Sequence, residues 1–549
     1  MTLLLLLSLS RAAEPPPLAA PDLAVDALRA EIERASTGLT LPDAAPPWLI
    51  RAELLSFDHE ACVRGGRGAL QSHVEAPRRE LVYEVRVGSP ELDNANLGWP
   101  GEENGLGRVD LVASLDPAAV RRDAWHALDT AWKDAWAALS RRESARLRQA
   151  REDNPLGYVG GEVATGRAPD PAGRAWDGDA LDAYVRVASA GYRDAEWLLG
   201  AVEVWAQQGR RTVLDTRGTW VSEPVDRAWV TWSVSTRAPD GQFIGTSHTV
   251  ASSSLADLPT ATAIADELHR SADRLTAWRA LPAESEPWAG PVILEGDAAP
   301  RVFHDLLLPR LLGTPEWEVE DPDDRPRDRP PEPLAPQRRA LPVGWSVVDD
   351  PTPRGGIGWV WDDEGVPGQP VRLVDDGAVR VHLMSRTPSR WFAESNGHAV
   401  QPWYGIARGA PSHLTVAAAH PMSRARLIRS GLKAARQVGL DHVVIVRGLG
   451  EQNPAGPLDP SPVGPPAEVV RHYADGHEEP VRGWTWAGLD ARSLRDILAA
   501  GPSYTLDLAH DDIVHQVNAP SILIRELEFV PVERADHFEP RVSPPSGGR

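Results

Sequence analysis

In the N-terminal part of the chain, some segments space their apolar residues as a helix does and others as a strand does. Residues 21–36 repeat apolar side chains every three or four positions, which is typical of an amphipathic helix. Two strand patterns follow at 48–57 and 79–88, and the second alternates apolar and polar residues. Residues 117–151 form one long helical pattern with a stripe of tryptophan and leucine. We predict that this stripe packs in a core and is not a ligand platform.

The middle of the chain predicts a run of antiparallel strands and then a helix. The strand patterns lie at 210–223, 226–238 and 241–253. Pro-Asp-Gly at 239–241 favours a hairpin between the last two strands. Residues 257–281 return to helical spacing, and 290–296 is a short strand that leads into a leucine-rich helix.

The C-terminal half is predicted to be mostly β-structure. Strand patterns lie at 345–349, 370–375, 378–384, 414–419, 441–447, 467–473 and 521–531. Two helices are predicted among them, at 423–437 and 490–500. Two proline-rich stretches, 314–341 and 450–466, are predicted to be flexible insertions because their composition does not favour burial in a core.

These elements predict an α+β fold with two domains. We expect an N-terminal α+β domain at 21–235, which contains the long helix, and a mostly antiparallel β domain at 236–549. A chain of 549 residues is too long for a single core.

Residues 1–20 are predicted to be a leader. An apolar run from Leu3 to Leu9 precedes Ala12 and Ala13, which resembles a secretory signal and would export the protein to the periplasm. No Lys or Arg precedes the run, so a cytoplasmic location remains the alternative. No other stretch is apolar and long enough to predict a membrane span.

The net charge and the cysteine count of the chain exclude some classes of partner and of site. A net charge of −21 argues against nucleic acid, because proteins that bind it usually have a basic domain. The single cysteine, Cys62, excludes an intrachain disulfide and a cysteine-based zinc site. Arg426, Arg429, Lys433 and Arg436 share one helical face, which is either simply solvated or contacts an acidic partner.

Candidate chemistry lies on the leucine-rich helix after the strand at 290–296. His304 is followed by Asp305, and a histidine beside an acid on a helix is typical of zinc peptidases. Five residues after His304, where a second ligand could lie, the chain has Pro309. Proline has no donor atom for a metal, and its ring and missing N–H predict a bend near the carbonyl of Asp305.

The order and spacing of several stretches resemble the TldD/PmbA family of metallopeptidase-related modulators of DNA gyrase. The stretches are GPVILEGDAAPRVFHDLLLP (290–309), DDEGVPGQPVRLVDDGAVRVHLMSR (362–386), ESNGHA (394–399), VVRHYADGHEEPVRG (469–483) and APSILIRELEFVP (519–531). The resemblance covers about 100 to 531 and implies a curved, barrel-like sheet in the C-terminal domain. It also implies paired subunits that admit extended peptides, one of which carries the metal.

Metal-bearing members of this family place His-Glu-x-x-x-His on the corresponding helix. The resemblance implies that His304 takes the place of the first histidine, Asp305 that of the glutamate and Pro309 that of the second histidine. The family's further ligand is a cysteine that corresponds to a position around Leu506, and no cysteine is there. Asp507, His510 and His515 lie nearby without a spacing that predicts coordination.

Two functional hypotheses follow. The first is a peptide-binding or partner subunit without a working metal site or other cofactor, which assembles with itself or with a paralogue that has an intact motif. The alternative is an active metallopeptidase with an altered ligand set, in which zinc activates water and Asp305 is the general base. A third interpretation treats His304 as an ordinary, partly buried core histidine.

Overall fold

The computed structural model describes residues 21–40, 42, 44–95, 104–149, 157–170, 177–192, 198–313, 331–402, 405–450, 463–510 and 513–532. Its helices are α1 (Pro21–Gly38), α2 (Pro117–Gln149), α3 (Gly178–Ala188), α4 (Ala261–Ala280), α5 (Ala298–Val302) and α6 (Arg424–Gln437). Most strands belong to two large sheets, the first N-terminal and the second C-terminal. The α+β fold class is thus confirmed, with the long helix in the N-terminal domain as predicted.

The first sheet is built from seven strands, most of them long and antiparallel. They are β1 (Leu49–Gly66), β2 (Ala69–Arg86), β3 (Leu106–Asp110), β4 (Thr165–Arg167), β5 (Leu199–Asp215), β6 (Trp220–Arg237) and β7 (Phe243–Ser252). The order is β3-β2-β1-β5-β6-β4, and β7 pairs with a further part of β6. The predicted strand at 210–223 is wrong in one respect, because a turn at 216–219 separates β5 from β6.

A bulge in β1 keeps one face of this sheet apolar along its full length. Ile50 and Leu54 pack under α1 and α2, while Ala61 and Val63 pack under α3 and α4. One extra residue between Phe57 and Glu60 shifts the alternation, so even and odd positions share that face. Without the bulge the two halves of β1 would turn opposite faces to the helices.

The tryptophan and leucine stripe of α2 forms part of this core, as predicted. Leu128, Trp132 and Leu139 are buried there, and Trp136 packs against them. Trp125, at the start of the stripe, lies outside the core and is 48% exposed. The stripe therefore serves packing along most of its length.

The second sheet forms the C-terminal domain. Its strands are β8 (Trp288–Leu294), β9 (Trp345–Asp349), β10 (Val371–Asp375), β11 (Ala378–Val379), β14 (His413–Ala418), β15 (His442–Val446), β16 (Val469–Tyr473), β17 (Glu478–Val481), β18 (Trp484–Ala487), β19 (Ile497–His510) and β20 (Ile513–Pro531). A separate short hairpin joins β12 (Ala399–Val400) to β13 (Arg408–Gly409). All pairs are antiparallel except β14 with β20 and β8 with β15.

Two expectations for this domain are wrong. The sheet runs β11-β10-β9-β14-β20-β8-β15-β16-β17, and within the described residues its two ends do not meet, so it is open and not a barrel. The predicted helix at 490–500 is a short 3₁₀ turn, Ser493–Asp496, followed by β19. Pairing of β19 with the long strand β20 outweighs the helical spacing of its apolar residues.

Alternate side chains of the second sheet pack into two hydrophobic cores, one on each face. Val292 and Leu294 of β8 pack on the side that also buries α5 and the turns after it, whereas Ile293 packs on the opposite side under α6. The candidate helix and α6 therefore lie on opposite faces of one sheet.

The other face of the first sheet meets the C-terminal domain through buried charges. Arg51 donates to the carbonyl oxygen of Asp363 at 2.6 Å and to Glu84 at 3.0 Å. Arg211 pairs with both Asp363 and Glu223. We call Arg51, Arg211 and the acidic residues 362–364 the interdomain cluster. Because its partners come from both domains, it fixes how the first sheet sits on the second.

The remaining predictions fall partly outside the described residues. The predicted leader at 1–20, most of 314–341 and most of 450–466 are in that position. The end of the first of these insertions is described, and its Ala340 and Leu341 are buried in the C-terminal core. None of the described helices has the length and hydropathy needed to cross a bilayer.

Candidate functional site

The helix that carries His304 changes its geometry at the predicted place. Regular α-helix ends at Val302, a π-helical turn spans Phe303–Leu307, and a 3₁₀ turn spans Leu308–Arg310. The N–H of Leu308 donates to the carbonyl of Phe303, five residues earlier. Pro309 explains this arrangement, because it has no N–H for the carbonyl of Asp305 and its ring would clash there in a regular helix.

This wider turn changes which side chains are neighbours. On a regular helix, positions five residues apart lie about 140° apart around the axis. In this π turn the hydrogen bond joins Phe303 and Leu308, five residues apart, so the turn is wider than that of a regular helix. Position 309, in the 3₁₀ turn that follows, is therefore closer to the face of position 304 than it would be on a regular helix, and Pro309 occupies it.

The carboxylate of Asp305 is already engaged by two neighbours. Its oxygens accept hydrogen bonds from Nε of Arg301 at 2.9 and 3.0 Å, one turn earlier on the helix. Its Oδ1 is also hydrogen-bonded to Nδ1 of His304 at 2.7 Å. The imidazole of His304 stacks on that of His515 from β20, with ring centres 5.1 Å apart. Asp305 is therefore part of an ion pair and is not a free base.

Those C-terminal candidates whose side chains the structure describes do not complete a metal site with His304. Leu506 lies in β19 with an apolar side chain, and Asp507 accepts hydrogen bonds from the N–H of Ala251 and from Gln516. The side chain of His510 lies outside the described residues. His515 reaches His304 by stacking of the rings.

A cavity of about 300 Å³ lies between the two domains beside this helix. It is lined by Thr246, Ser247, His248, Arg274, Glu295, Gly296, Asp297, Arg301, Arg447, Gly448, Leu449, Glu468, Tyr504 and Leu506. The lining includes Arg301 of the candidate helix and Leu506, around which the sequence resemblance places the family's further ligand. It also includes three consecutive residues of β7, which pairs only with β6 among the described strands. At 246–248, β7 therefore lines the cavity, whereas farther along the strand the N–H of Ala251 is bonded to Asp507 of β19.

The cavity wall is polar, and its charges are paired. Arg447 donates to Glu295 at 2.9 Å and to Glu478 at 2.6 Å, and Arg424 donates to Glu295 at 2.8 Å. Burial alone would raise the pKa of Glu295, but these two guanidinium groups hold it below its ordinary value. Glu295 therefore remains an anion that is neutralised on both sides.

His248 and Asp297 form a second pair on this wall, 2.6 Å apart through Nδ1 of the imidazole. Burial lowers the pKa of His248, but the hydrogen bond and charge of Asp297 outweigh it, so the pKa lies above its ordinary value. Sequence reasoning did not identify this pair, because its members come from β7 and from the start of α5. The only local signal was Glu-Gly-Asp at 295–297, directly after a buried strand.

Among the residues that the structure describes, the side chains at the ligand positions implied by the resemblance do not make a complete set for a catalytic zinc ion. Of the three ligand positions implied by the family resemblance, only that of His304 has a side chain able to coordinate zinc. Arg301 adds a positive charge beside Asp305, which disfavours a second cation there. Among the residues that the structure describes, no group of three or more His, Cys, Asp or Glu side chains is arranged to hold a metal.

Comparisons with known proteins agree with this architecture. A sequence model of the PmbA/TldA metallopeptidase C-terminal domain matches residues 337–530. No curated protein matches the chain by sequence.

Three crystal structures share the fold. One, described as a modulator of a DNA gyrase from Thermotoga maritima, is 14% identical, with a TM-score of 0.58 over 93% of this chain and 100% of its own. TldE from Thermococcus kodakarensis is also 14% identical, with a TM-score of 0.55 over 88% of this chain and 96% of its own. A protein described as a modulator of DNA gyrase from Bacteroides thetaiotaomicron is 12% identical, with a TM-score of 0.54 over 93% of this chain and 98% of its own.

Residues 337–530 thus match the C-terminal domain of the TldD/PmbA family, and the fold of the chain agrees with that match. The resemblance found in the sequence is confirmed.

Proposed function

We propose that this chain is a peptide-binding subunit of TldD/PmbA type that lacks a working metal site. It acts with a second copy of itself or with a paralogous subunit that has an intact motif. The observation that carries the proposal is Pro309, which follows the π turn at Phe303–Leu307 and stands in the place of the family's second histidine with a side chain that has no donor atom.

The state of Asp305 supports the same proposal. A general base must be able to accept a proton from water, but both oxygens of this carboxylate are bonded to the guanidinium of Arg301. The carboxylate is also one methylene shorter than the glutamate that it replaces. Arg301 and His304 therefore give Asp305 a role in holding the helix, where the family's glutamate would act on water.

The cavity supports peptide binding. The open edge of β7 at 246–248 offers backbone N–H and C=O groups to an extended segment, which can add to the sheet as a further strand. Around it, the hydroxyl groups of Thr246 and Ser247 and the charged wall provide polar contacts for side chains. Backbone pairing of this kind depends little on sequence, as expected for a subunit that accepts unfolded chains.

Metal content tests the absence of a catalytic centre. Protein purified without chelators is expected to contain far less than one zinc per chain, and it should not cleave reduced, carboxymethylated α-lactalbumin. About one zinc per chain that disappears in His304→Ala would contradict the proposal. Chelator-sensitive cleavage that is lost in Asp305→Ala would favour the active peptidase instead.

Binding of the same unfolded polypeptide tests the peptide site separately. Ser247→Trp places a large side chain against the open edge of β7 and is expected to weaken binding about tenfold, since steric exclusion removes several contacts at once. Thr37→Trp, at the exposed end of α1, is the matched control. Equal binding by both variants would show that the peptide does not use this cavity.

A further inference from the structure

Helix α6 divides its side chains sharply between the core and solvent. Leu427, Ile428, Leu432 and Ala435 are buried against the second sheet. The opposite face carries four exposed cations, Arg426, Arg429, Lys433 and Arg436, which we call the basic stripe. Their spacings of three and four residues place them in one row along about 15 Å of helix.

No carboxylate of the described structure is paired with the basic stripe. The helix itself contains no Asp or Glu. None of the four cations forms an ion pair with any residue that the structure describes. Arg424, at the first position of the same helix, does pair with Glu295 at 2.8 Å. The stripe is therefore distinct from the paired arginines of the cavity wall.

Stability of the helix does not account for this arrangement. Like charges three or four residues apart repel each other and slightly destabilise a helix, and carboxylates at those positions would have stabilised it. The stripe is also unusual for this chain, whose net charge is −21. A row of unpaired cations on an acidic protein is a favourable surface for a partner with negative charges.

The chemistry of the surroundings selects among anionic partners. Nucleic acid would meet strong repulsion from the rest of an acidic chain. A flat anionic membrane would also approach the acidic remainder of the surface, and α6 has no free apolar face to insert, because that face is buried in the protein. A short acidic segment of polypeptide can match a row of about 15 Å without approaching the acidic remainder of the surface.

We propose that the basic stripe of α6 binds an acidic polypeptide segment of another chain. The stripe and the cavity lie on different elements, so this interaction stands independently of the proposed peptide site. Both partners would be held by several exposed charge pairs, which makes the contact specific for acidic sequence and sensitive to salt.

Fluorescence anisotropy with a fluorescein-labelled poly-glutamate peptide tests the proposal. The variant carries Arg426→Gln, Arg429→Gln, Lys433→Gln and Arg436→Gln. The matched control removes four exposed cations that have carboxylate partners, through Arg122→Gln, Lys133→Gln, Arg270→Gln and Arg492→Gln. Both variants change the net charge equally.

We expect the stripe variant to bind the peptide about tenfold more weakly, and the control to stay within about twofold of the unmodified protein. Binding by the unmodified protein should weaken as NaCl rises from about 50 to about 300 mM. Circular dichroism of both variants checks that they are folded.

Three outcomes would overturn the proposal. The first is no measurable binding of the peptide by the unmodified protein. The second is an equal loss in the control, which would assign the effect to net charge. The third is tighter binding of duplex DNA or of phosphatidylserine vesicles than of the peptide, with the same dependence on the stripe.

Discussion

Arginine and carboxylate side chains meet in two regions of this protein, and the two regions differ in burial. In the interdomain cluster, Arg51 is 3% exposed and Arg211 is 12% exposed. On the candidate helix, Arg301 is 37% exposed and His304 is 26% exposed. The buried charges hold two domains together, whereas the charges on the helix neutralise a carboxylate near solvent. The same pair of residue types can thus support the fold in one place and occupy a site in another.

The largest effect is expected where a buried cation is removed. Arg211→Met would leave Asp363 and Glu223 without their shared guanidinium in a site closed to water, which should destabilise the protein by about 3–5 kcal/mol. Arg270→Met is the control at a surface ion pair. Arg270 is 59% exposed and its partner Glu267 is 30% exposed, so the expected loss is about 1 kcal/mol or less.

Denaturant unfolding of both variants measures this difference. Similar losses would mean that the interdomain cluster is no more important than a surface ion pair. Burial would then not distinguish the interdomain cluster from the charges on the candidate helix.

The pH dependence of stability tests the same cluster without removing a side chain, and its expected effect is smaller. Burial and the charges of neighbouring acids raise the pKa of Asp362 to about 8, although backbone N–H groups of Ala399 and Val366 act against this shift. Burial likewise raises the pKa of Glu364 to about 7, with Glu84 adding to the effect and Arg51 and Arg386 opposing it. Oε1 of Glu364 is buried and has no hydrogen-bond partner among the described residues.

A raised pKa fixes the sign of the effect. These carboxyl groups bind protons more tightly in the folded state, so their contribution is complete below the unfolded pKa and is lost as pH rises through about 7 to 8. His248 acts in the same direction, because its pKa is also raised. We therefore expect the free energy of unfolding to fall from about pH 4, near the unfolded pKa of these carboxyl groups, to about pH 8, and to level off above that.

Glu364→Gln should flatten this slope, because the amide keeps an acceptor for the N–H of Arg386 and no longer ionises. Thermal unfolding across the pH range is the measurement, with His248→Gln as the variant that isolates the histidine. A slope that is unchanged in Glu364→Gln would show that this carboxyl group does not hold a proton near neutral pH.

The sequence predicted the local elements better than their long-range partners. The long helix, the hairpin at 239–241 and the bend near Pro309 followed from periodicity and from the covalent structure of proline. The helix at 490–500 was wrong because a strand that pairs with β20 can also have helical spacing of apolar residues.

The candidate site shows the same division. His304 and Asp305 are adjacent in sequence, so their contact could be anticipated. The pairs Arg211–Asp363 and His248–Asp297 join residues 152 and 49 positions apart, and one sequence without an alignment has no signal for them. Long-range pairing of charges is set by how two sheets face each other, which local patterns do not encode.

The smallest effect is expected on the candidate helix. Arg301→Met removes the cation beside Asp305, but the pair is partly exposed and His304 still bonds to the carboxylate, so the protein should lose only about 0.5–1 kcal/mol of stability. Denaturant unfolding alongside Arg211→Met gives the comparison directly. A loss as large as that of Arg211→Met would mean that this pair holds the domain together as the interdomain cluster does. Asp305 would then have a purely structural role, and its place beside His304 would say nothing about hydrolysis.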